Sequence, residues 1–259
     1  MTAARLLVLI VLLAGLPAAP PVRAALAPGE SGQVTAVSDG DTLIIDGRLE
    51  VRLVGIQAPK LPLGRAGFKA WPLADEARTA LADMTLGKRL RLAYGGQRID
   101  RHGRALAQLY DQEGRWVQGE MLRLGLARVY TFADNVALAA EMLALEREAR
   151  AAGRGIWALG FYRILPADAA ATAIGSFQIV EGEVQRVASA KGRTYLNFGA
   201  DWRQDFTISV AGRDRSVMER QGLDFAALAG RRVRVRGWLE SLNGPLIELT
   251  HAEQLELLP

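Results

Sequence analysis

The sequence predicts a mainly β protein with α-helices packed on it: an OB-type five-stranded barrel with three helices, followed by a second OB-like β-barrel. Three observations predict this. Short apolar runs alternate with polar residues along the 259-residue chain, and its 27 Gly and 10 Pro punctuate those runs instead of forming a low-complexity tract. The order strand–strand–strand–helix–strand–strand can be read twice. Between the two readings, residues 161–175 combine Pro166 with a run of Ala and Thr and read as a linker.

In the first half, Gln33–Val37, Thr42–Asp46 and Leu49–Val54 alternate as strands, with Asp39-Gly40 and Asp46-Gly47 as the turns between them. A loop rich in Gly and Pro covers Lys60–Pro72. A helix is predicted near Leu73–Met84, where Ala77, Leu81 and Met84 recur at helical spacing. Lys88–Tyr94 and Arg104–Tyr110 are the next strands. A short helix over Val117–Leu124 is stopped by Gly125. The clearest helix runs over Val136–Ala152, with Leu138, Met142, Leu145 and Ala149 on its apolar face.

In the second half, Ile179–Val184, Thr194–Phe198, Asp205–Val210, Arg232–Trp238 and Leu246–Leu249 are five strand candidates. A short helix near Phe225–Leu228 falls between the third and fourth.

The N-terminus reads as a secretory signal peptide. Arg5 precedes an almost unbroken apolar stretch, Leu6–Leu16, and Val22-Arg23-Ala24 offers a small-x-Ala cleavage site. The expected organisation is therefore a leader at 1–24, a first domain at 33–160, the linker at 161–175 and a second domain at 176–259. The expected location is periplasmic or secreted, an uncleaved anchor being the other reading of the leader.

The absence of Cys removes thiol catalysis and thiolate metal sites, and two His make a His-rich zinc site unlike this chain. Removing Arg5 and Arg23 with the leader halves the formal charge of +4. Net charge alone is thus no argument for nucleic acid; only the placement of the arginines can be.

Three segments carry chemistry: Val37-Ser38-Asp39-Gly40-Asp41-Thr42, Val51-Arg52-Leu53-Val54-Gly55-Ile56-Gln57-Ala58-Pro59-Lys60 and Asp100-Arg101-His102-Gly103-Arg104-Ala105-Leu106-Ala107. With Gly125-Leu126-Ala127-Arg128-Val129 and Gly153-Arg154-Gly155-Ile156-Trp157, they resemble the staphylococcal nuclease (thermonuclease) family over about residues 33–157. The resemblance implies an SNase-like OB barrel that cleaves DNA and RNA. In that family one calcium ion is held by two aspartates, a carboxylate activates water, and two arginines hold the phosphate. Asp41 matches the first metal-binding aspartate, Arg52 and Arg104 match the arginines, and Asp39 and Thr42 match the outer acid and the hydroxyl beside the metal. His102 sits where the family usually has an aromatic beside the phosphate.

Two departures matter. Where the family has Gly-Ile-Asp-Ala-Pro-Glu, this chain has Gly55-Ile56-Gln57-Ala58-Pro59-Lys60. The second calcium ligand is replaced by Gln57 and the water-activating carboxylate by Lys60. Calcium affinity depends on carboxylate charge, so Ca²⁺ binding is expected to be weak or lost. An ammonium cannot accept a proton at neutral pH, and general-base catalysis contributes roughly 10²–10⁴-fold. Arg52, Arg104 and Lys60 against Asp39 and Asp41 leave a surplus of about one positive charge, a cleft able to hold phosphate without metal.

The leading expectation is a degenerate nuclease-like protein that binds nucleic acid or another phosphate-bearing ligand through Arg52, Arg104, Lys60 and His102. The other readings are a cation-dependent nuclease with an altered site built on Asp41, Thr42 and Asp39, and an envelope scaffold with a protein partner. In the second half, the alternating arginines of 231–236 read either as a solvated strand face or as a basic stripe. In the second case Tyr195, Trp202 or Trp238 would serve as stacking platforms for single-stranded nucleic acid.

Overall fold

A computed structural model describes residues 26–259; the expected leader lies outside them. No helix among the described residues is long and apolar enough to cross a membrane.

The first half contains strands β1 (Ala27–Asp39), β2 (Thr42–Ile45), β3 (Leu49–Leu53), β4 (Gly55–Gln57), β5 (Arg89–Tyr94), β6 (Ala105–Tyr110) and β7 (Arg128–Tyr130). Its helices are α1 (Ala74–Thr85), α2 (Val117–Arg123) and α3 (Ala139–Ala151). The strands β1-β2-β3-β6-β5 close into the predicted barrel. Closure depends on β1 starting earlier than its alternation suggests. Its first part pairs antiparallel with β5, and its last part pairs with β2. One bent strand therefore serves both edges and leaves neither unpaired. The two short strands β4 and β7 form a separate antiparallel pair beside the barrel, Gln57 opposite Arg128.

Leu43, Val51, Leu53, Leu90, Leu92 and Leu109 fill the barrel, and Leu81, Met121 and Met142 seat the three helices on it. Gly55 has φ +86°, and a Cβ there would meet the Met142 thioether at 2.6 Å, so only glycine lets the chain turn this close to α3. The third helix keeps the expected Leu138, Met142, Leu145 and Ala149 in or against the core. Its buried face is wider than expected, adding Ala139, Leu143 and a carboxylate, Glu146.

The second half contains β8 (Leu165–Pro166), β9 (Phe177–Glu183), β10 (Arg186–Ala190), β11 (Arg193–Asn197), β12 (Thr207–Ala211), β13 (Arg232–Ser241), β14 (Pro245–Glu248) and β15 (Leu255–Leu257), with one α-helix, α4 (Gly212–Arg220), and the expected short helix as a 3-10 turn at Ala226–Leu228. The sheet order is β10-β11-β12-β14-β13-β9-β8, with β15 on β13 and a parallel β12–β14 pair. Only Val184 and Gln185 separate β9 from β10. Taken as two halves of one bent strand, they give the circuit of the first barrel, where β3 and β6 are likewise parallel. The OB-like order expected for the second half is therefore present.

Residues 161–175 do not form a free linker. Tyr162, Leu165 and Ala170 are buried, and β8 adds a parallel strand to β9. Small side chains, which read as linker composition, are what this close approach to the sheet needs.

The two cores are separate, but the halves are joined by buried polar contacts. Arg236 of β13 is 1% exposed and pairs with Glu146 of α3 at 3.0 Å and with Glu256 of β15 at 2.7 Å. Burial alone would lower the charge state of this arginine, but the two carboxylates outweigh it and hold it firmly protonated. Thr131 meets His251 at 2.8 Å, and Phe177 packs edge-on to Tyr130.

Candidate functional site

The site grows from the turn between β1 and β2. Asp39 and Thr42 pair across it, and Asp39 Oδ1 accepts the backbone N–H of Asp41 at 3.0 Å, an Asx-type turn that aims both carboxylates the same way. Gly40 is required by packing, because a Cβ there would lie 2.7 Å from the Cβ atoms of both Ala58 and Ala77. Asp41 is fully buried, with Oδ2 accepting the Ala58 N–H at 2.7 Å. The Thr42 hydroxyl donates to Asp41 Oδ1 at 3.3 Å.

Lys60 closes this turn. Its ammonium lies 2.7 and 2.6 Å from the two Asp41 oxygens and 3.2 Å from Asp39 Oδ2. Charge-assisted contacts this short are strong. Burial pushes both carboxyls up. At Asp41 that push is overcome by Arg52, by Lys60 and by the hydrogen bonds from Lys60 and Ala58, leaving it well below the usual range. Asp39 stays raised, because burial and the neighbouring Asp41 outweigh Lys60. One deeply ionised acid beside one reluctant acid, clamped by an internal cation, is the centre of the site.

Arg52 extends from β3, opposite Thr42 in register. Its guanidinium donates to the carbonyls of Leu53 at 2.8 Å and Ile56 at 2.6 Å, and lies 3.3 Å from Asp41 Oδ1. It thus holds the β3–β4 connection in place as well as the acid.

The structure places the other predicted site residues apart from this cluster. Gln57 Oε1 is occupied by Arg128, accepting from Nε at 3.0 Å and Nη2 at 2.7 Å. Arg104 pairs with Asp100 at 2.7 Å, and Asp100 also accepts the backbone N–H groups of His102 and Arg104. His102 is exposed on that turn, its ring taking a hydrogen bond from Arg101 at 3.2 Å. The expected positive surplus is therefore corrected. Asp39 and Asp41 are balanced by Lys60 and Arg52, while the charge of Arg104 is matched locally by Asp100.

A calcium ion does not fit these residues. Calcium needs several oxygen ligands with free lone pairs. The Asp41 carboxylate is engaged by Lys60, Arg52 and Ala58, and the Gln57 oxygen by Arg128. No group of three or more His, Asp or Glu suited to a metal occurs among the described residues. What remains without metal is a preset, charge-balanced cluster, with Arg101 and Arg104 on the neighbouring turn.

A profile described as staphylococcal nuclease homologue matches residues 50–159. An uncharacterized endonuclease of Escherichia coli O157:H7 is 33% identical over 129 residues, covering 49% of this chain and 76% of that protein. The chain belongs to the staphylococcal nuclease homologue family.

A probable endonuclease LCL3 of Paracoccidioides lutzii is 34% identical over 123 residues, 43% of this chain and 34% of that protein. A probable staphylococcal-like nuclease CAN2 of Oryza sativa subsp. japonica is 32% identical over 124 residues, 48% of this chain and 30% of that protein. The match thus spans only about a third of these two longer relatives. Nuclease is the activity of the family, and in this member Lys60 stands between the two acids at its centre.

Sequence reasoning gave no site role to two residues of this region, Arg128 (read only as part of a family-like segment) and Tyr130. Arg128 is buried between Gln57 and the aromatic faces of Phe177 (4.5 Å) and Trp71 (5.9 Å), and burial lowers its charged form to a pKa of about 10. Tyr130 lies within electrostatic reach of Arg52, Arg128 and Arg101; burial raises its phenol and these three pull it back. The pattern Gln57-x…Arg128 carries no local signal, because the pair is made only by the β4–β7 ladder.

Proposed function

We propose that this is an exported, catalytically degenerate member of the nuclease family that binds nucleic acid through the arginine-lined rim of the first barrel. The observation that carries the proposal is the Lys60 ammonium within 2.7 Å of both Asp41 oxygens. An acid pair already neutralised by a covalently tethered cation has little affinity left for calcium, and no free carboxylate remains at the position that would activate water.

Binding would rest on Arg101 and Arg104 beside Tyr130, with Arg52 held behind them by Asp41 and adding its charge, a rim suited to a phosphate beside a stacked base. Arg104 can exchange Asp100 for a phosphate, because Asp100 keeps the backbone N–H groups of His102 and Arg104 as partners. The family supplies nucleic acid as the ligand class, and the leader supplies the exported setting.

The test is fluorescence anisotropy of single-stranded DNA and RNA with the protein in chelator at low salt. Binding weakened by Arg104→Ala supports the proposal; absence of binding sinks it. The relatives' names favour a second reading, an active endonuclease with an altered site. That reading requires cation-dependent cleavage abolished by Asp41→Ala.

A further inference from the structure

The second half holds a separate cavity of about 350 Å³, at the lower end of the ~300–1,000 Å³ typical of ligand sites. Its floor is one face of the β10-β11-β12-β14 sheet. Arg186 stands opposite Asn197, Asn197 opposite Thr207, and Thr207 opposite Leu246, while Tyr195 faces Ala188. Alternate residues Leu196, Ile208 and Ile247 point the other way, into the core. The cavity face is therefore the side of the sheet that the core does not use.

Its walls come from three connections. The β10–β11 turn supplies Lys191, the β11–β12 loop supplies Trp202, and the β13–β14 turn supplies Asn243. In OB-type barrels this face, between these first and last hairpin loops, is where oligomeric ligands are held.

The lining chemistry narrows the ligand. No acidic residue lines the cavity. Arg186 and Lys191 form no ion pair among the described residues, unlike Arg232 and Arg234, which pair with Glu181 at 2.6 and 2.7 Å. Asp201 and Asp205, which flank Trp202 in the β11–β12 loop, accept backbone N–H groups of their own loop. Trp202 is 43% exposed, with the Arg203 guanidinium over its ring at 4.7 Å. Asn197 is 4% exposed, and its carboxamide oxygen accepts the Thr207 hydroxyl at 3.4 Å, which leaves its NH₂ group to donate into the cavity.

Two aromatic platforms, two unpaired cations and one buried amide donor make a stacking site with phosphate contacts. We propose that this face binds single-stranded nucleic acid, with bases on Trp202 and Tyr195 and phosphates at Arg186 and Lys191. The site is distinct from the rim of the first barrel and does not depend on it. The arginines of β13, suggested by their alternation as a basic stripe, are instead pairing groups. Trp238 does not line the cavity.

The experiment titrates a fluorescein-labelled oligothymidylate into the full chain in chelator, at salt between about 50 and 200 mM, with a DNA duplex as comparison. The variants are Trp202→Ala, Arg186→Glu/Lys191→Glu and Arg104→Ala, each checked by circular dichroism and thermal melting. Trp202 is an exposed loop residue, so its loss leaves the fold intact. Trp202→Ala is expected to weaken single-strand binding by roughly 5- to 100-fold. The double charge reversal should reduce the salt slope by at least about 1.4, two phosphates' worth.

Unchanged binding in both second-domain variants overturns the proposal, even if Arg104→Ala weakens binding and the first cleft is upheld. Loss only with the second-domain variants upholds this site and removes the first. Equal preference for duplex, or no binding by the natural chain, also overturns it.

Discussion

Lys60→Met removes the internal cation and keeps the aliphatic stem. The ammonium is the partner of a fully buried carboxylate and of Asp39, whose side chain is 5% exposed. Removing one partner of a buried pair costs ~3–5 kcal/mol. Arg52 at 3.3 Å and the Ala58 amide at 2.7 Å still serve Asp41, so the lower end, about 3 kcal/mol at pH 7, is expected. For a chain of this size that is a fall in Tm of roughly 6–12 °C.

The penalty should shrink as pH falls, because Asp39, already raised, takes up a proton when its cation is gone. In the natural chain Asp41 runs the other way. Its lowered pKa contributes stability that is present above 3.8 and lost as pH falls toward the folded value. Calcium discriminates further. The variant exposes two adjacent carboxylates, and a site of ~1 mM affinity would return about 1.4 kcal/mol at ~10 mM ion. The assay is thermal melting of both proteins with calcium and with chelator. A variant within ~0.5 kcal/mol of the natural chain, or a natural chain stabilised by calcium as much as the variant, refutes the reasoning.

Arg236→Met strands Glu146 in the buried contact between the halves and is expected to cost ~3–5 kcal/mol by chemical denaturation; a loss under ~1 kcal/mol would show the pair is dispensable. His251, lowered to about 4 by burial, contributes stability that is complete above 6.5 and lost as pH falls from 6.5 through about 4. That amounts to about 3 kcal/mol at most, and His251→Asn should flatten the dependence of the urea midpoint on pH in that window. Gln57→Glu places a carboxylate oxygen against Arg128 Nε and Nη2, adding an opposite charge to hydrogen bonds in which only the donor is now ionised. It should stabilise the chain by roughly 1 kcal/mol at pH 7, and a lower Tm would contradict this.

The barrel was legible because alternation, turn dipeptides and the α1 spacing all agree with it, and Asp39, Asp41, Arg52 and Lys60 come together as the motifs imply. What was illegible depended on partners distant in sequence. Arg104 looked available until its turn was seen folded around Asp100. Gln57 looked like a weak ligand until the β4–β7 ladder set Arg128 against it. Glu146 sits on the buried side of α3 because Arg236, 90 residues away, neutralises it there; periodicity alone places a glutamate outside. The helix α4, with Met218 its one buried residue, has almost no apolar face to read. Residues 161–175 read as linker because their small side chains serve close packing as well as flexibility.

The central claim is that the Lys60 ammonium occupies the acids that cleavage chemistry needs free. Its most direct test is a time course of single-stranded DNA and RNA degradation in calcium, manganese or chelator, comparing the natural chain, Asp41→Ala and Gln57→Asp/Lys60→Glu. The account predicts that the natural chain cuts no faster than Asp41→Ala under any of these conditions, and that cation-dependent cutting, if any protein shows it, belongs to the double variant. Cleavage by the natural chain that requires a cation and vanishes in Asp41→Ala would contradict it.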